Sequence, residues 1–278
     1  MKKKIFVAGT VRNCANTLES DVLRIKKAFG ENYDLNWLII ESDSEDESTK
    51  VLASLKRYVV NFNYKSLGEL RFRYPERTDR LALCRNEYLK AIKALESSYE
   101  FVVIADFDGI NSMLTSKAIE SCWPLNDWSV LTANQSGPYF DIWALRHHTW
   151  SPDDWMDEFN NLRALGKSTS KALRKSLYSK MITIPMSSEP IEVESAFGGI
   201  AVYRKNCFEH GEYVGSIDGR PVCEHVSFHR SIRAAGGRIL INPRFINAGY
   251  TNHTLILKRY VRLKTHLKAI WENLRRYV

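Results

Sequence analysis

Long apolar runs are missing from this sequence. No stretch reaches the roughly 20 residues needed to cross a bilayer. The opening MKKKIFVAG has the look of a leader, but its apolar run stops at Arg12, short of a signal-peptide core. The run alternates like a first β-strand instead. Paired cysteines are missing too. Cys14, Cys84, Cys122, Cys207 and Cys223 are odd in number, scattered and free of any CxxC spacing. That excludes a zinc ribbon or a disulfide scaffold and points to a reducing compartment, so the chain is expected in the cytosol. A broadly basic body is also absent. The net charge is +8, yet residues 256–278 hold seven Lys/Arg against one acid, which leaves the rest of the chain near neutral. A general nucleic-acid surface is therefore not expected. Finally, no glycine-rich phosphate loop with lysine follows the first strand. Gly9-Thr10-Val11-Arg12 stands there, a poor match to the nucleotidyltransferase pattern.

What is present is ordinary globular material: 278 residues, 44% hydrophobic and 26% charged. This suffices for one large α/β domain or two small ones. The most informative stretch is FVVIADFDGIN, residues 101–111. Phe101 to Ala105 is a short β-branched run that reads as a buried strand. Asp106 and Asp108 flank Phe107 at its end, and in extended chain that spacing points both carboxylates the same way. Two hard oxygen donors at a strand end suit Mg²⁺ or Mn²⁺, with positions left for phosphate oxygens. A plain Asp/Gly turn after a strand explains the same residues without any metal.

Other segments surround that strand with candidates. Lys4 to Ala8 is a first strand ending at Gly9-Thr10, with Arg12 just beyond, where α/β folds open ligand sites. Leu18 to Phe29 has helical spacing. Leu35 to Ile40 is a second strand that runs into ESDSEDEST, placing Glu41 and Asp43 where carboxylates accept from ribose hydroxyls; a helix from Ser48 to Tyr58, capped by Ser44 or Asp46, explains the loop equally. Val59 to Tyr64 reads as a third strand. A helix beginning at Thr78 or Asp79 carries Arg80 and Arg85 beside Arg77, which suits phosphate or simply a solvated basic face. Further on, a helix over 113–119 and a strand over 128–133 are expected. The run from Pro138 to Arg146 lines a sugar site or packs as core. The polar block 147–190 reads as an insertion or mobile loop with helices over 153–165 and 170–181. Gly198 and Gly199 allow close backbone approach. Glu224 opens a helix, as a dipole-favoured acid or as a general base toward a sugar hydroxyl. Arg238 to Asn242 is the last strand.

Taken in order, ESDSEDES, RLALCRN, DFDG, FGG and CEHV on alternating strands and helices resemble the GT-A-type nucleotide-sugar glycosyltransferases. The likeness is nearest to bacterial relatives of the fungal capsule-associated α-mannosyltransferases and spans residues 4–252. It implies a single GT-A, Rossmann-like domain over 1–255 with a mixed, mostly parallel sheet. It implies Asp106 and Asp108 as the DxD pair for Mn²⁺ or Mg²⁺, with Phe107 between them, and His253 as a further metal ligand. It implies Thr10, Arg12, Glu41, Asp43, Arg80, Arg85, Gly198 and Gly199 around a UDP- or GDP-linked sugar. Glu224 is implied beside the acceptor hydroxyl, on a glycan or lipid-linked glycan, in surface polysaccharide synthesis. A nucleotidyltransferase, or an inactive carbohydrate-binding or scaffold protein of the same fold, are the competing readings. Inversion and retention both stay open.

The C-terminal segment stands apart. Tyr260, Leu263, Leu267, Ile270, Trp271, Leu274 and Val278 form an apolar stripe at helical spacing, flanked by basic residues. Such a helix suits an anionic membrane surface, a docking site on the domain, or a homodimer contact.

Overall fold

A computed structural model describes residues 2–255 and Leu257. The amphipathic segment expected over 256–278 lies outside the described residues, Leu257 aside. Ten strands and seven α-helices occur among the described residues. The strands are β1 (Lys3–Val11), β2 (Tyr33–Glu41), β3 (Phe62–Ser66), β4 (Tyr99–Ala105), β5 (Val130–Gln135), β6 (Ile191–Val193), β7 (Ile200–Arg204), β8 (Ser216–Ile217), β9 (Arg220–Pro221) and β10 (Ile239–Ala248). The helices are α1 (Leu18–Phe29), α2 (Ser48–Tyr58), α3 (Arg77–Lys93), α4 (Ser116–Glu120), α5 (Trp155–Ala164), α6 (Thr169–Ser176) and α7 (Glu224–Ala234).

Eight strands form one sheet in the order β3-β2-β1-β4-β7-β5-β10-β6, and β8 pairs with β9 in a separate hairpin. Pairs β2–β3, β1–β2, β1–β4 and β5–β10 are parallel, whereas β7 and β6 run against their neighbours. The expected mixed, mostly parallel α/β sheet is what the chain forms.

Period-two alternation divides the core between the two faces. Ile5 and Val7 of β1 join Val103 of β4, under Leu18, Val22 and Ile25 of α1. Phe6 and Ala8 join Val102 and Ile104 on the other face, under Tyr88, Leu89 and Ile92 of α3 and Phe228 of α7. Burying both faces of β1 and β4 makes their ends rigid platforms.

Several boundaries differ from expectation for local reasons. The third strand starts at Phe62 rather than Val59, because α2 runs to Tyr58 and the Val59 N–H closes it on Leu55 O. Asn61 then turns the chain with φ of 56°. The helix expected over 113–119 starts at Ser116, capped by the Thr115 side chain, which accepts from the Ala118 N–H. The last strand continues past Asn242 to Ala248. Its register shifts after Ile241, so Pro243 sits at an irregularity that spares it a ladder bond. Both helices expected between 147 and 190 form, the second ending early at Ser176. Among the described residues, no helix is long and apolar enough to cross a membrane.

Candidate active site

The C-terminal ends of β1, β2 and β4 open onto one cleft of about 330 Å³, closed on the far side by the first turns of α3 and α7. Parallel strands place ligand sites at that end. Thr10, Arg12, Asp43, Arg80, Arg85, Asp106, Phe107, Asp108 and Glu224 all form its wall. Nine candidates scattered over more than two hundred residues thus converge.

The Asp pair is held from three directions. The Asp106 N–H donates to Gly199 O at 2.9 Å, and Asn111 Nδ2 donates to Asp106 O at 2.7 Å. A Cβ on Gly9 would fall 2.5 Å from the Phe107 ring and 2.1 Å from Ala105 O, so glycine lets β1 pass this close. Asp21 of α1 accepts the Gly109 N–H at 2.7 Å and ties down the turn after Asp108. Gly198 and Gly199, at φ of 75° and 92°, pack behind this turn; the cleft wall itself is formed by their neighbour Phe197.

Arg85 organises the other wall. It is buried, and its Nε donates to Glu224 Oε1 at 2.8 Å. Its Nη1 donates to the Tyr88 hydroxyl at 3.0 Å, and Nη2 lies 3.6 Å from Asp106 Oδ1. One guanidinium therefore bridges the strand-end acid and the helix-start acid. Burial pushes the Asp106 carboxyl up to about 7, opposed by Arg85 and reinforced by Asp108, Asp141 and Glu224. Asp108 is exposed, and its Oδ1 accepts only a long 3.3 Å bond from the Ile110 N–H.

The two carboxylates fit a divalent cation in a specific sense. Asp106 is an under-compensated acid, Asp108 has free lone pairs, and both face the same cleft. Among the described residues, no group of three or more His, Cys, Asp or Glu is placed to hold a metal. Two protein oxygens with phosphate completing the shell is the arrangement Mg²⁺ and Mn²⁺ take with nucleotides.

The remaining candidates are placed differently. Asp43 sits on the wall with φ of 57°; its Oδ1 accepts from the Leu70 and Arg71 N–H groups at 2.8 and 2.9 Å. Its buried Oδ2 has no hydrogen bond and lies 3.5 Å from Arg80 Nε. Arg80 also donates to Tyr74 O and Pro75 O, both at 2.6 Å, so it holds the loop before α3. Arg12 donates to Asp43 O at 3.3 Å. Glu41 lies off the wall and spends both oxygens in its loop, on the Ser44 N–H and the Ser66 hydroxyl. His253 also lies off the wall. It is exposed and stacks on Phe140 at 5.6 Å.

Asp141 and Trp143 are among the wall residues that lie outside the sequence-derived candidates. Asp141 accepts the Gly198 N–H at 2.9 Å, and burial raises its carboxyl. Trp143 donates to Asp154 Oδ2 at 3.1 Å. Both lie in the aromatic run, whose other members Tyr139, Ile142 and Leu145 are core. The lone acid in that run was the signal available.

Asp21 allows a test of how the turn is built. Burial pushes its carboxyl up to about 6, against the Gly109 N–H bond, with Asp108 raising it and Arg24 lowering it. The folded state therefore holds this proton more tightly than the unfolded chain. The resulting stability is full below about pH 4 and is lost as pH rises through 6. Asp21→Asn keeps an acceptor and cannot ionise. Its melting temperature is expected to climb relative to wild type between pH 4 and 7. A constant offset across that scan would remove Asp21 as the source.

A mixed α/β sheet with an acidic, arginine-braced cleft at its strand ends is the class of protein these features define. No protein-family model matches the chain, and no curated protein matches it in sequence. Among solved structures it is similar to the mannosyltransferase PcManGT from Pyrobaculum calidifontis in complex with GDP-Man and Mn²⁺. That similarity has 14% identity and a TM-score of 0.49, over 89% of this chain and 57% of that one. It is similar to S. aureus TarS 1–349 in complex with UDP-GlcNAc, at 13% identity and a TM-score of 0.43, over 87% and 56%. A third is glucosyl-3-phosphoglycerate synthase from Mycobacterium tuberculosis in complex with Mn²⁺, UDP and phosphoglyceric acid, at 10% identity and a TM-score of 0.40, over 89% and 67%. The chain spans little more than half the length of the first two.

Proposed function

We propose that this chain is a metal-dependent GT-A-type glycosyltransferase, moving a sugar from a UDP- or GDP-linked donor to a glycan or lipid-linked glycan. The observation that carries the reading is the convergence of Asp106, Asp108, Arg85 and Glu224 on one cleft from β4, α3 and α7. Asp106 and Asp108 would hold Mn²⁺ or Mg²⁺, which supplies positive charge where the leaving diphosphate gains negative charge. Asp43, whose Oδ2 is ion-paired with Arg80, and Arg12 stand on the wall at the nucleotide end. Arg85 fixes Glu224 through one oxygen only, leaving the other without a hydrogen bond and able to accept from an acceptor hydroxyl. Titration with UDP, GDP and CMP, with and without Mn²⁺, tests the reading; no binding of any of them would remove it.

The acceptor is assigned to the side formed by residues 147–190. A groove of about 620 Å³ between α5 and β9 shares Arg77 and Trp143 with the cleft wall. Met156, Asp157 and Arg220 also line a neighbouring cavity of about 900 Å³ against α7. Its wall carries charges of both signs, which suits a hydroxyl-rich chain. The basic segment 256–278 would bring the enzyme to anionic lipid bearing such an acceptor, as in capsule or lipopolysaccharide synthesis. Anionic liposomes in low salt are expected to pellet the full chain and not a chain ending at Leu255. Equal pelleting of both would assign the segment to packing or dimerisation.

A further inference from the structure

Helix α7 carries two buried histidines one turn apart, His225 and His229. They are opposites in their bonding. His229 is fully satisfied: its Nδ1 meets the Ser195 hydroxyl at 2.9 Å and its Nε2 the Tyr203 hydroxyl at 2.8 Å. His225 is only 3% exposed, and neither ring nitrogen has a hydrogen-bond partner. Its ring lies on Phe197 with centroids 3.9 Å apart, and Tyr213 meets it edge-on at 5.9 Å. A phenylalanine would make those contacts equally well. Buried polar atoms are nearly always paired, and leaving two of them unpaired is costly.

The polar groups nearby do not pair with it in this structure. Arg85, the nearby cation, has no acceptor to give. Ser227, two residues on, is already spent on the Val214 and Glu224 carbonyls. Burial, then Arg85 and His229, push the His225 imidazole well below its usual range, so the ring is neutral. A neutral imidazole offers one N–H and one lone pair. His225 helps to form the cleft wall beside Phe197 and Glu224, with both ring nitrogens covered in this structure.

We propose that His225 is a sugar-binding residue of this cleft, one of its ring nitrogens sharing a hydrogen bond with a hydroxyl of the donor sugar or the acceptor beside Glu224. A hydroxyl both donates and accepts, which matches a neutral imidazole, whereas a phosphate oxygen only accepts. The inference builds on the glycosyltransferase reading. The unpaired ring is then a cost carried by the free protein and relieved when sugar arrives.

The test uses His225→Phe, which keeps the stacked ring and deletes the nitrogens, and His225→Gln, which returns a donor and an acceptor. The probes are UDP and GDP, then UDP-glucose and GDP-mannose, all in Mn²⁺. Nucleotide release in the presence of free glucose or mannose forms the last arm. His225→Phe is expected to raise the melting temperature of the free protein by roughly 2 °C or more, since two unpaired polar atoms leave the interior. UDP or GDP affinity should stay within about twofold of wild type. A fall of about tenfold or more in nucleotide-sugar affinity identifies the donor sugar as the hydroxyl source. Intact nucleotide-sugar affinity with a similar fall in hexose-dependent release identifies the acceptor. His225→Gln should recover part of either loss. Unchanged sugar binding and release in His225→Phe would overturn the proposal. So would a lower melting temperature in both variants, which would show that the ring nitrogens have partners within the protein. Failure of the wild-type chain to bind any nucleotide would show in the UDP and GDP arm alone and would sink the glycosyltransferase reading along with this one.

Discussion

Asp108→Asn is expected to weaken binding of a nucleoside diphosphate about a hundredfold in Mn²⁺, ~2.7 kcal/mol, while leaving the fold intact. Asp108 is exposed and supports the turn through one long bond to the Ile110 N–H, so little structure depends on its charge. What depends on it is cation binding, because among the described residues no third ligand joins the Asp106 and Asp108 pair and one of the two would be lost. Asp106→Asn should cost similar affinity with a different stability signature. The Asp106 carboxyl is already raised to about 7 by burial, so a neutral amide there should leave the melting temperature unchanged or higher. Calorimetric titration in Mn²⁺ and in EDTA checks both. Wild-type affinity in either variant, or equal affinity of the native chain in EDTA, would return Asp106 and Asp108 to an ordinary strand-end turn.

Arg85→Met should be the most destabilising single change in the cleft, at about 3–5 kcal/mol. The guanidinium is buried, and its removal leaves Glu224, Asp106 and the Tyr88 hydroxyl without their shared partner. Arg85→Lys restores charge without the planar fork and should recover only part of the loss. Glu224→Gln separates structure from chemistry. Its amide oxygen still accepts from Arg85, so the protein should fold and bind nucleotide normally. Sugar transfer should fall about a hundredfold, the scale of a lost general base. Urea unfolding and turnover measured on the same samples decide the matter. A loss under about 1 kcal/mol for Arg85→Met would mean the bridge contributes little. Wild-type turnover for Glu224→Gln would leave it as a helix-terminal acid.

Much of this arrangement was legible in the residues. Apolar runs at Lys4 to Ala8, Leu35 to Ile40 and Phe101 to Ala105 are strands because β-branched and aromatic residues suit a pleated, doubly covered sheet. Leu18, Val22, Ile25 and Phe29 recur at helical spacing and pack as α1. The third strand was misplaced because Val59 and Val60 have strand propensity, yet Val59 closes α2. Glu41 and Asp43 show the limit of position alone. Glu41 ends β2 and Asp43 follows it, but Glu41 is consumed by Ser44 and Ser66 while Asp43 stands on the cleft wall with its Oδ2 against Arg80.

The sequence by itself determined what short-range geometry controls. Residues two apart in extended chain point the same way, and Asp106 and Asp108, just past the end of β4, both stand on the cleft wall. A near-neutral body with most of the net positive charge gathered after Ile256 was equally plain. Only the tertiary structure decided which charges meet. Arg85 and Glu224 are 139 residues apart, joined because β7 inserts beside β4 and brings α7 against α3. The same packing satisfied His229 and left His225 without a partner, although the two share one helix. Nothing in their spacing separates them, because hydrogen-bond satisfaction depends on neighbours from β7 and the Ser195 loop, which only the folded chain brings within 3 Å.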